Sequence, residues 1–269
     1  MLERFKEIFA GLQTAYGQTK VTEEFSENGK HEAKSFTIKK PVTDLLWQAH
    51  LNGDEPALGI VPIREDNKCK WGCIDIDTYP FDHKEFIKKI RDKDIPMILF
   101  RSKSGGAHVF LFTKEFISAA LMQTTLKRIS DSLGYQGVEI FPKQTEILVE
   151  RGDTGNFLNL PYHNQTKGLR YAFDDNGSAL SLEEFFKLYD VYAQTKEQVE
   201  KIEIKEEKIE EIVKTRFPES HTISGIQWNF EGKTFETDLI TFIDSHALII
   251  EAKSHNITKP ALRGAPDRI

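Results

Sequence analysis

Cysteine is nearly absent from this chain: Cys69 and Cys73 are its only two in 269 residues. Two thiols cannot frame a fold, so a disulfide scaffold is excluded and a reducing, cytoplasmic setting is expected. Long apolar runs are missing too. None approaches the roughly 20 residues that cross a bilayer, so no membrane partner is expected. The opening MLERFKEIFAGL interrupts its apolar residues with Glu3, Lys6 and Glu7, which describes an amphipathic helix and no signal peptide. An excess of positive charge is also lacking. The formal net charge of −6 argues against coating a phosphate backbone by bulk charge and leaves nucleic acid only a local site. What remains, 29% charged and 39% hydrophobic residues, is the profile of a soluble globular protein with room for a real core.

Apolar periodicity predicts a helix over residues 2–16, a turn at Gly29 between short strands within 18–40, and a helix over 41–50 bounded by Pro41 and Gly53. ALGIVPI reads as a strand with KWGCIDID as its neighbour, and residues 83–93 as a helix with Phe86, Ile87 and Ile90 on one side. PMILFRS and AHVFLFT are strands joined by KSGG, and residues 115–133 form a helix closing at Gly134. VEIFPKQTEILV and GNFLNLPY are further strands or strand edges, with Pro142 interrupting the first. Turn-linked strands mixed with helices describe an α+β domain with a mixed or largely antiparallel sheet. We assign it residues 1–194, with a helical and hairpin part over 1–55 and a core over 56–194.

At Thr195 the composition shifts. Val199, Ile202, Ile209, Ile212 and Val213 recur at helical spacing, with Glu197–Lys201 and Glu210–Lys214 as i,i+4 pairs. TISGIQWNF, KTFETDLITF and HALIIEAKS follow as three strands, which makes residues 195–269 a second unit.

Within KWGCIDID, Asp75 and Asp77 stand two residues apart and therefore point to one face of a strand, while Ile74 and Ile76 point to the other. Adjacent carboxylates repel unless a cation sits between them. Two divalent ions about 3.5–4 Å apart would resolve that repulsion and clamp a phosphoryl group. All-oxygen ligands suit Mg²⁺ or Mn²⁺. Taken alone, the pair also suits a solvated acidic strand edge. RSKSGGAHVFLF sharpens the reading: Ser104, Gly105 and Gly106 form a turn whose N–H groups can converge on an anion, with Arg101 and Lys103 before it and His108 after it. A hairpin turn needs the glycines but neither the cations nor the histidine. Glu139, between Val138 and Ile140, is a candidate third carboxylate, with Glu146 as the competing choice. Lys143, Gln144 and Asn159 fall near the same edge, as does Asn156, and turn chemistry around Gly155 would also account for the asparagines.

WGCIDID, SKSGGAHVFLF, VEIFPKQ and GNFLNLPYH, in that order, resemble the acidic, Ser-to-His and later acidic motifs of the archaeo-eukaryotic primase superfamily. FAGLQTAYGQTK, KKPVTDLLWQAHLNG and LGIVPI resemble its TOTE conflict-system and phage or plasmid members, so the likeness covers about residues 1–190. It implies a primase-like catalytic core and template-directed nucleotidyl transfer. Asp75, Asp77 and Glu139 would hold a two-metal Mg²⁺ or Mn²⁺ site. Ser104, His108 and the Gly105–Gly106 amides would hold the triphosphate, with Arg101 and Lys103 assisting. The partners it implies are a nucleic-acid template and primer, nucleoside triphosphates, and a helicase or nuclease. Many members carry a zinc module. Here Cys69-x-x-x-Cys73 lacks the ligands of a closed site, so two core thiols and no structural zinc are expected, and primer initiation is not implied.

In the second unit, Asp238 on one strand and Glu251 with Lys253 on the next resemble the acid and E-x-K of restriction-like, NERD-type nucleases. That resemblance implies Mg²⁺ on Asp238 and Glu251, with Lys253 orienting water. Too few residues follow Lys253 for the remaining helix and strand, so an incomplete α-β-β-β unit with weak or absent cleavage is expected. Two further readings remain open: a nucleic-acid-binding module without polymerase activity, and a protein in which the C-terminal nuclease is the only active part.

Overall fold

The computed structural model describes residues 1–25, 31–203, 218–219, 221–230, 233–243 and 246–250. Chain contacts divide it into two compact units, Met1–Lys205 and Glu206–Ile269. The first holds two four-stranded antiparallel sheets with helices around them. One sheet orders β5 (Ile98–Arg101), β6 (Ala107–Ser118), β4 (Lys68–Ile76) and β7 (Glu139–Phe141). The other orders β2 (His31–Ile38), β1 (Tyr16–Phe25), β3 (Leu58–Ile60) and β8 (Leu158–Asn159).

The β4-centred sheet is buried on both faces, which is why β4 and β6 read as continuous apolar runs instead of alternating ones. Ile74, Ile76, Val109 and Leu111 face a core completed by Phe86, Ile87 and Ile90 of α3 (His83–Asp92) and Met122, Leu126 and Ile129 of α4 (Ala119–Ser132). Trp71, Cys73, Phe110 and Phe112 face a second core with Phe5 and Phe9 of α1 (Leu2–Ile8), Leu58 and Ile60 of β3, and Phe185 of α5 (Leu182–Tyr192). Gly72 makes the first packing possible. A Cβ there would lie 2.6 Å from Leu126 and 2.8 Å from the Phe141 carbonyl oxygen.

Several sequence expectations are corrected by packing. Helix α1 stops at Ile8, and Tyr16 already belongs to β1. Between them the chain runs against β3's exit: Leu12 N–H donates to the Val61 carbonyl at 2.9 Å, and a Cβ on Gly11 would stand 2.1 Å from that same oxygen. β3 pairs with β1 and β8, not with β4, so ALGIVPI and KWGCIDID lie in different sheets. Residues 115–118 continue β6 and are not helical, because Ile117 and Ser118 pair with Cys69 and Lys68. A register shift between Cys69 and Trp71 then places Cys69 in the first core and Cys73 in the second. Burial pushes the Cys69 thiol up to about 12 and that of Cys73 well above its ordinary range, with the Asp75 charge adding to the latter.

Helix α6 (Lys196–Glu200) begins with a Thr195–Gln198 capping box, and its Val199, with Ile202 beyond it, is buried in the first unit's core. The compact unit therefore runs past the composition shift at Thr195. Residues 204–217, where the rest of the charged helix was expected, lie outside the described residues. The second unit contains an antiparallel sheet of β9 (His221–Phe230), β10 (Lys233–Ile243) and β11 (His246–Ile250). Among the described residues no helix is long and apolar enough to cross a membrane.

His50 joins α2 (Asp44–Asn52) to β3 and to the chain leaving β8. Leu58 N–H donates to its Nδ1 at 3.0 Å, so Nε2 carries the proton and donates to the Pro161 carbonyl at 2.8 Å. Burial drives its pKa down to about 3, against 6.5 ordinarily. The unfolded chain thus binds the extra proton first. The stabilisation from neutral His50 is complete above about pH 6.5 and is lost as pH falls towards 3. Urea midpoints taken at pH 7 and pH 4.5 should fall with acid, and His50→Gln should flatten that dependence.

Candidate active site

The strand register assembles the sequence candidates into one row. Across β7, β4, β6 and β5, Glu139 pairs with Asp75, Asp75 with His108, and His108 with Phe100. Residues directly opposite on antiparallel strands share a face, with Cβ atoms about 4.5–5.5 Å apart. Along β4 the same face runs from buried Trp71 and Cys73 to half-buried Asp75, and just past the strand end Asp77 is exposed. The aspartates therefore sit where the aromatic core opens to solvent. Asp75 Oδ1 lies 3.3 Å from His108 Nε2, yet it is a buried oxygen with no hydrogen-bond partner. Such an atom costs about 1–3 kcal/mol unless something occupies its lone pairs.

The RSKSGGAH turn stands over the end of β4. Ser102 N–H donates to the Gly106 carbonyl at 3.0 Å, and Gly105 N–H to the Ser102 carbonyl at 3.1 Å. Gly105 has φ +95°, which an L side chain adopts only under strain. Gly106 is pressed against β4, where a Cβ would come 2.5 Å from the Ile76 carbonyl oxygen. Arg101 braces the turn, its Nη1 reaching the carbonyls of Ser102 and Leu169 at 3.3 Å each. Lys103 and Ser104 are exposed on it.

Two residues at this turn were not singled out by sequence. Tyr79 donates its hydroxyl to Asp77 Oδ1 at 2.9 Å and also bonds Ser104 Oγ. His83, at the start of α3, places Nε2 3.1 Å from the Gly106 carbonyl oxygen. The available signal was the spacing D-x-Y directly after the acidic strand. Burial raises the Tyr79 phenol above its usual range and the carboxylates of Asp77 and Asp75 raise it further, while the bond from Ser104 opposes them.

The remaining candidates separate. Glu139 is exposed, and its carboxylate is taken by Lys143 Nζ at 2.8 Å. Gln144 is bonded to Asn156, whose N–H donates to Gln144 Oε1 at 3.1 Å, while Glu146 is exposed. Asn159 lies on the other sheet and bonds Thr19 Oγ1 at 3.1 Å. It is paired with Gly59, on the face opposite the buried Leu158. Asp238 falls in β10. Glu251 and Lys253 lie outside the described residues.

Among the described residues no three His, Cys, Asp or Glu side chains converge into a ready metal cage. Backbone register brings Asp75 and Glu139 opposite each other, but the Glu139 carboxylate turns to Lys143 and that of Asp77 to Tyr79. The donor set nonetheless fits a hard divalent cation. It offers carboxylate oxygens, and one of them, Asp75 Oδ1, is buried and lacks a hydrogen-bond donor.

A family model for the archaeo-eukaryotic primase domain of TOTE conflict systems matches residues 4–202. Among solved structures, the chain is similar to the AEP domain of the cyanophage S-2L primase-polymerase, at 12% identity and a TM-score of 0.40, covering 70% of this chain and 95% of that one. It is also similar to primase RepB′, at 8% identity and a TM-score of 0.35, covering 74% and 62%. The catalytic domain of RepB′ in complex with initiator DNA matches at 8% identity and a TM-score of 0.34, covering 74% and 93%. No curated protein matches the sequence.

Proposed function

The chain belongs to the archaeo-eukaryotic primase family of TOTE conflict systems, and on that premise we propose that it is a metal-dependent nucleotidyltransferase that extends a nucleic-acid strand on a template. The observation that carries this reading is the row Glu139–Asp75–His108, set beside a glycine turn of phosphate-binding composition. Asp75, Asp77 and Glu139 would hold Mg²⁺ or Mn²⁺. When bound, such ions would polarise the α-phosphate and lower the pKa of the attacking 3′-hydroxyl.

The chain's own residues do the positioning. Gly106 would bring its backbone N–H to the triphosphate, while Gly105, whose own N–H is spent on the Ser102 carbonyl, gives the turn its shape, and Ser104 stands exposed on the same turn. Lys103 supplies an exposed cation. Arg101, already spending one nitrogen on two carbonyls, keeps the turn in shape and offers its remaining N–H groups to phosphate. His108 sits between the turn and Asp75, where its Nε2 can serve either an incoming phosphate oxygen or the aspartate. The conflict-system description of the matching family model supports a role in mobile-element replication or defence, with a helicase or nuclease as partner.

The test is extension of a primed template with labelled dNTPs or NTPs in Mn²⁺ or Mg²⁺. Metal-dependent products are expected. A chain that binds template but never extends it would be a binding module instead. Glu139→Gln should reduce extension by about 10–100-fold, less than loss of Asp75, because Glu139 is exposed and must leave Lys143 to act. Extension at the wild-type rate in Glu139→Gln would remove Glu139 from the site and return Glu146 to consideration.

The C-terminal unit is proposed separately as the start of a restriction-like nuclease, supported by the β9–β10–β11 meander that carries Asp238. Metal-dependent cleavage that survives Asp238→Ala would end that reading.

A further inference from the structure

We propose that Tyr79 is a positioning residue that ties the acidic end of β4 to the Ser104 turn and holds that turn in the shape that receives a triphosphate. This rests on the reading above of the two motifs as one nucleotide site. The Tyr79 hydroxyl has a single proton. It donates that proton to Asp77 Oδ1 at 2.9 Å, so towards Ser104 Oγ it must act as acceptor. Ser104 is thereby anchored from the acidic strand, in line with Ser102 Oγ, which lies 3.4 Å from Ser104 Oγ.

The surrounding contacts point the same way. A Cβ added to Gly106 would stand 3.4 Å from the Tyr79 hydroxyl and 3.3 Å from Ser102 Oγ, so the turn is packed against both. His83 holds the turn at a second point through the Gly106 carbonyl. The segment following β4 thus grips the turn at two points, Ser104 and Gly106.

Core burial does not account for Tyr79, because the residue is 47% exposed. Its hydroxyl makes the connection to Asp77 and Ser104. Without that hydroxyl the Ser104 side chain loses its anchor, and nucleotide binding must supply the ordering that the bridge now provides.

The experiment uses the full chain as wild type, Tyr79→Phe, Ser104→Ala and the double variant. Binding of a fluorescent nucleoside triphosphate is measured by anisotropy in chelator, and primer extension is measured with Mn²⁺. Tyr79→Phe is expected to weaken binding and raise the nucleotide KM by about 3- to 10-fold, the range for one lost hydrogen bond, with kcat within about 2-fold. Its thermal midpoint should match the wild type. The double variant should bind no more weakly than Ser104→Ala alone, since the two residues act through one bond. Wild-type affinity in Tyr79→Phe, or losses that multiply in the double variant, overturns the bridge while leaving the nucleotide site standing. A wild-type chain that binds no triphosphate overturns the nucleotide site and the bridge together.

Discussion

Asp75→Asn is expected to lower template-directed extension by about 10²–10³-fold while leaving the protein as stable as before, or slightly more so. The loss follows from removing a carboxylate proposed to hold the divalent ion that would offset the charge of the reacting phosphate, an effect of the order seen when a single electrostatic group is deleted from an active site. The stability follows from burial. Asp75 Oδ1 is a buried oxygen without a hydrogen-bond partner, beside a buried cysteine and against an aromatic core. Replacing that carboxylate with an amide removes a buried oxygen that finds no hydrogen bond in the folded chain. The measurement pairs initial extension rates with thermal midpoints. Asp75→Asn/Asp77→Asn should be little worse than Asp75→Asn alone, because residues that act as a unit fail as a unit. Retained extension in the double variant would move the chemistry elsewhere.

The largest expected effect on stability lies four residues back along the same face of β4. Trp71 is fully buried, its indole N–H donates to the Ala10 carbonyl at 3.1 Å, and its ring packs against Phe9 and Phe110. Trp71→Ala leaves a cavity between the two sheets and an unpaired carbonyl, at a cost of about 3–5 kcal/mol. For a unit of this size that lowers the melting temperature by roughly 6–20 °C. A scanning calorimetry shift below about 3 °C would mean that the second core does not depend on this residue. Trp71 and Asp75 share one face of one strand, so this core is the floor on which the aspartate stands.

Local patterns account for much of what was legible. Asp75 on the face of β4 opposite Ile74 and Ile76, the glycine turn at Ser104–Gly106, the helix over His83–Asp92 and the hairpin of β5 and β6 all follow from spacing over a few residues. The role of Tyr79 was not legible beyond its D-x-Y spacing, because a tyrosine near a turn says nothing about where its hydroxyl ends. The failures at residues 9–15 and 115–118 share a cause. Each segment carries helical periodicity, but each is captured by a backbone partner distant in sequence, Val61 in one case and β4 in the other.

The sequence by itself determined which residues were chemically equipped: paired acids, a cation-flanked turn, a histidine and two thiols with no metal-binding company. The tertiary structure decided which of them meet. It set β7 against β4, so that Glu139 stands opposite Asp75 across 63 intervening residues (76 through 138). It sent β3 to the other sheet and split Cys69 from Cys73 between two cores. Alternation along a strand records only which side a residue faces. Which strand lies alongside is chosen by burying two faces at once, and that choice is made by residues far away in the chain.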